Sequence, residues 1–107
     1  MRLWVDSDVR SVPFGYRFVS TVPEAIKCIE DFEVMFSASG GKGIYRIDII
    51  DIGCDAGNYA EFGGEYIGLL CWLEKSGRSY PIHLHGTDPH MVEEMRRYVR
   101  RNHWKET

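Results

Sequence analysis

The sequence predicts an α/β domain: a mainly parallel sheet with helices packed against it. Three observations carry this. Short apolar runs alternate with amphipathic stretches in the order strand, strand, helix, strand, helix, strand, helix, an alternation that builds parallel sheets. Two of the helices open on caps legible in the sequence, Thr21-Val22-Pro23-Glu24 and Asp88-Pro89. The chain has 107 residues and 44% hydrophobic content, enough for one domain with one core.

Residues 2–6 (RLWVD) are an apolar run ending in acid, read as a buried strand. A polar loop follows, punctuated by Pro13 and Gly15, and residues 16–20 (YRFVS) alternate as a second strand. Thr21 and Glu24 then form a capping box, and Pro23 in the first turn costs no internal hydrogen bond. Ala25, Ile26, Ile29 and Phe32 give that helix its apolar stripe. From Phe32 to Gly53, two β-rich runs flank SASGGKG, which reads either as a hairpin-like loop or as a flexible insertion near residues 37–44. Residues 45–52 (YRIDIIDI) are the strongest central strand, and a Gly- and Asp-containing loop follows. Residues 65–77 read as a helix with Ile67, Leu70, Cys71 and either Leu73 or Leu69 inward, stopped by Gly77. Residues 80–86 form the last strand. Asp88 caps the last helix, with Met91, Val92, Met95, Tyr98 and Val99 on its inner stripe.

The net charge of −3 gives no general reason to bind nucleic acid, although Arg96, Arg97, Arg100, Arg101 and Lys105 make one end of the chain basic. Cys28, Cys54 and Cys71 show no C-x-x-C spacing and cannot all pair, which reads as a reduced, cytoplasmic protein. The N-terminus turns acidic within six residues, unlike a signal peptide, and no apolar run approaches the ~18 residues that span a bilayer. No membrane partner is therefore expected.

In parallel sheets ligands bind beyond the carboxyl ends of the strands. Asp6 and Asp8 follow the first strand, Asp51 and Asp55 close the central one, and His83, His85 and Asp88 close the last. Carboxylates gathered there raise one another's pKa or recruit a hard cation, so Asp6, Asp8 and Asp55 are candidate ligands for a divalent ion such as Mg²⁺. His83 and His85, two apart on a strand, share a face, which suits a metal pair or general acid–base work. Thr87, Asp88 and Pro89 open a helix whose amides can cradle a phosphate beside His85. Arg10 can clamp the same phosphate bidentately.

Four segments, LWVDSDVRSVPFGY, IDIIDIGCDAG, GGEYIGLLCWLEKSGR and IHLHGTDP, together resemble the cyclic-phosphate processing receiver domains. The likeness covers most of the chain, as one domain over residues 1–107 with residues 37–44 inserted. It implies a three-layer, receiver-like (flavodoxin-like) fold with a reduced helix count, and action on cyclic phosphate ends of RNA. It aligns Asp6 and Asp8 with the acidic pair after strand one, with Ser7 between them. Arg10, Pro13 and Gly15 fall in the loop motif, Asp55 and Gly57 in the central motif, and His85 and Pro89 in the last, where Gly86 replaces Ser and Asp88 replaces Asn. His85 and Asp55 are then the expected catalytic pair, with Arg10, His83, Thr87 and Asp88 around the substrate. The expected partner is a phosphate-bearing small molecule or RNA end, with pairing into a homodimer as a further expectation. Gly53 and Cys54 depart from the family, standing where it has Asp and His. Asp51 could substitute, but lies about 6–7 Å back along the strand. These departures keep a second expectation open: a degenerate, non-catalytic receiver that binds a phosphate or a protein.

Overall fold

The computed structural model describes residues 1–107. Strands β1 (Arg2–Val5), β2 (Tyr16–Val19), β3 (Ile49–Ile52) and β4 (Ile82–Leu84) form one sheet in the order β2-β1-β3-β4. Every pairing is parallel. Helices α1 (Val22–Ala38), α2 (Ile67–Lys75) and α3 (Pro89–Arg101) complete the domain. The architecture is α/β, consistent with a flavodoxin-like fold of reduced helix count.

Connectivity explains where the helices lie. From β2 the chain crosses β1 to reach β3, then steps to β4; after α3, Glu106 bridges Ile82 in parallel beyond β4. All three steps move the same way across the sheet. Right-handed crossovers that move one way put their helices on one face. Burial agrees: one cluster joins Leu3, Val5, Ile50, Ile52, Ile82 and Leu84 to Ala25, Ile29, Leu69, Leu70, Leu73, Met95 and Val99. Each Val, Leu, Ile or Met side chain among them contributes about 1.5–3 kcal/mol on leaving water.

The one step in the other direction, β1 to β2, has no helix. Residues 6–15 make it as a loop with a short 3-10 turn at Val9–Ser11. The loop crosses the opposite face, where the Trp4 indole N–H donates to Ser11 Oγ at 2.9 Å. The missing helix is the one that would have covered that face, and Trp4, Asp51 and His83 point toward it.

The caps form as the sequence predicts. Thr21 accepts the Glu24 N–H, and Asp88 accepts those of His90 and Met91. Residues 32–36, expected to be β-rich, are the last turns of α1 instead. Extending a nucleated helix costs little, and no Gly or Pro interrupts it before Gly40 and Gly41, which leave it at φ of 75° and 89°. Residues 37–44 hold that helix end and the start of a 3-10 turn at Gly43–Tyr45, so β3 begins at Ile49 rather than at residue 45. Tyr66, Leu69, Leu70 and Leu73 are fully buried. All three cysteines are free, and no helix is long and apolar enough to cross a membrane.

Candidate active site

Three residues one step past their strands carry the sheet's hydrogen bonding to its carboxyl rim. The Asp6 N–H donates to Val19 O, Gly53 to Val5 O, and His85 to Ile52 O. These bonds fix the backbones of Asp6, Gly53 and His85 side by side. The rim encloses a pocket of about 180 Å³, lined by Asp6, Ser7, Gly53, Cys54, Asp55, His85, Gly86 and Thr87.

At its centre His85 lies between two carboxylates. Its Nδ1 is 2.5 Å from Asp51 Oδ1 and its Nε2 is 2.6 Å from Asp6 Oδ2. The side chains of His85, Asp6 and Asp51 are only 15%, 18% and 6% exposed. The ring stacks on Trp4, with centroids 3.9 Å apart and planes 7° from parallel. Each of the two hydrogen bonds needs a proton, and an imidazolium donating to two carboxylates supplies both. Burial alone would pull the His85 pKa down, but the bonds to Asp51 and Asp6 outweigh it and hold it above the usual histidine value. The electron-rich indole face favours the same charged form.

Two glycines relieve crowding at the rim. A Cβ at Gly53 would lie 3.1 Å from Asp6 Oδ2 and 3.2 Å from His85 Nε2. A Cβ at Gly86 would fall 2.3 Å from Cys54 Sγ, an impossible approach. Gly53 therefore leaves open the space in which Asp6 meets His85.

Of the residues singled out from the sequence, the fold brings His85, Asp55, Asp6 and Thr87 to one pocket. The others lie elsewhere. Asp8 caps the 3-10 turn and pairs with Arg10, whose side chain is 88% exposed. The Arg10 hydrogen bond holds the Asp8 carboxyl below its usual range. His83 shares the sheet face as expected, but its Nδ1 donates to the Thr107 carbonyl oxygen at 2.6 Å. The Asp88 carboxylate fills the amide cradle of α3 that was expected to hold a phosphate. The basic end is largely neutralised: Arg96 pairs with Glu93 and Glu106, Arg100 with Glu93, and Arg101 with Glu74.

As arranged, each of the three expected metal ligands already has a partner. Asp6 Oδ1 accepts the Asp8 N–H and Oδ2 meets His85, while Asp55 Oδ1 accepts the Gly57 N–H. Asp8 is turned away, and no three His, Cys, Asp or Glu side chains are grouped to hold a metal.

Trp4 went unassigned by sequence reasoning, and Asp51 was expected only as a substitute at the rim. Asp51 reaches His85 directly instead of substituting at the rim, and Trp4 backs the ring. Asp51 did carry a signal: a carboxylate within the apolar run IIDI must find a buried partner. No family model matches the chain, and no curated protein or solved structure matches it at a significant level.

Proposed function

We propose that the rim pocket is an acid–base site acting on a cyclic phosphodiester, in keeping with the resemblance to cyclic-phosphate processing receiver domains, in a reduced cytoplasmic setting. The observation that carries this reading is the Asp51–His85–Asp6 chain at a pocket mouth. Asp51 fixes the ring through Nδ1, so the proton on Nε2 faces the pocket. Charge favours a cyclic ester over a terminal phosphate. The pocket holds two carboxylates and one imidazolium, and a cyclic diester carries one negative charge where a phosphomonoester carries about 1.5–2.

In this reading the ligand parts Asp6 from His85. Asp6 accepts a proton from water as the water oxygen bonds to phosphorus. The phosphorus–ribose oxygen bond breaks, and His85 Nε2 gives its proton to the leaving oxygen. The products are a phosphomonoester, a protonated Asp6 and a neutral His85. Once the product leaves, the 2.6 Å contact returns the proton from Asp6 to His85.

The test is hydrolysis of adenosine 2′,3′-cyclic monophosphate, followed by chromatography. His85→Gln and Asp6→Asn should each lower kcat by about 10²-fold or more, with the fold verified by circular dichroism. Full activity in Asp6→Asn would sink the two-group mechanism. A second reading, a binding module without turnover, is favoured by one fact: both ring nitrogens of His85 already have partners. Binding of the nucleotide without hydrolysis would select it.

A further inference from the structure

We propose that the groove between the amino-terminal ends of α2 and α3 seats the base of the nucleotide whose phosphate occupies the rim pocket, and that Glu94 selects guanine. This rests on the reading above and names its substrate class.

The groove measures about 160 Å³ and is lined by Cys54, Glu65, Ile67, Met91, Glu94 and Met95. It is continuous with the rim site in structure: Cys54 lines both cavities. Glu65 ties them together, since its Oε2 accepts the N–H of Ala56, the residue after Asp55. A ligand anchored at His85 therefore has one neighbouring depression into which to lay a second group.

That depression has a definite chemistry. Ile67 and the sulfur-bearing Met91, Met95 and Cys54 make an apolar, polarisable wall that suits a flat aromatic ring. Its polar groups are two carboxylates, which when ionised can only accept hydrogen bonds. Glu65 is partly committed to Ala56. Glu94 is exposed, and its neighbour Glu93 takes both Arg96 and Arg100, leaving Glu94 without a cation. Guanine alone among the four RNA bases offers two adjacent donors, N1–H and the 2-amino group, to a single carboxylate. Adenine and cytosine set a ring acceptor beside their amino group, and uracil flanks its one N–H with two carbonyl oxygens. Those acceptors would face a carboxylate with no proton between them.

The experiment compares the 2′,3′-cyclic monophosphates of guanosine, adenosine, cytidine and uridine. Apparent affinity is read from KM where the protein turns them over and from calorimetry where it only binds them. The guanosine compound should bind about tenfold tighter than the other three. Glu94→Gln, at an exposed position, should bring it to within about twofold of the others. If all four bind alike, the groove assignment falls while the rim site stands. If none binds, both fall. A guanosine preference that survives in Glu94→Gln overturns the role given to that residue.

Discussion

Two partly buried carboxylate networks lie at opposite ends of the sheet, and they differ in the cation each one uses. At the amino end, Glu33 on α1 accepts three hydrogen bonds from Arg78, at 2.9–3.1 Å, and a fourth from the Tyr80 hydroxyl. Burial pushes the Glu33 carboxyl up, but those bonds prevail and hold it below its usual range. Arg78 also stacks on Trp72, 4.3 Å from the ring centroid. One negative group meets one permanent positive group, so this network is balanced at every physiological pH. At the carboxyl end two carboxylates share a single imidazole, which carries charge only when protonated. That network is unbalanced, titratable and open to a pocket. The difference separates a brace from a site where protons can move.

The largest expected effect sharpens this comparison. His85→Ala strands the Asp51 carboxylate, 6% exposed, without a partner, and should cost about 3–5 kcal/mol in urea unfolding. Arg78→Ala should cost only about 1–2 kcal/mol, because Glu33 is 30% exposed and keeps Tyr80. Equal costs, or the reverse order, would break the contrast.

Next comes pH. His85 has its pKa raised in the folded state, so its stabilising contribution is complete below the unfolded value of about 6.5 and is lost as pH rises through the folded one. Glu33, held low, contributes above its unfolded value of about 4.3 and loses that contribution as pH falls. Melting temperature against pH should therefore decline on the alkaline side through the rim and on the acid side through the brace. Asp51→Asn should flatten the alkaline decline and leave the acid one in place. The smallest effect expected is none: EDTA should leave the melting temperature and any cyclic-nucleotide hydrolysis unchanged, since the carboxylates are spent on His85 and on backbone amides.

The fold was legible because its signals are local. Thr21, Asp88, Gly77 and the spacing of Leu70, Met95 and Val99 each act within a turn or two. The end of α1 was harder to read, since Val34 and Phe36 favour strands by themselves and become helical only by continuing a helix already nucleated. For the site, topology brought Asp6, Asp55 and His85 to one pocket but not Asp8, His83 or Asp88. Sequence spacing could not tell which carboxylate would reach the imidazole. That depends on the pairing of β1, β3 and β4, and on Gly53 lacking the side chain that would stand between Asp6 and His85.

The flat stacking of Trp4 on His85 gives the protein its own optical reporter. An imidazolium pressed against an indole drains the excited state far better than a neutral ring does, so ultraviolet emission from Trp4 should brighten as the histidine gives up its charge. The unlabelled molecule would then announce each protonation change by light, and a ligand that prises Asp6 away would be seen in the same channel.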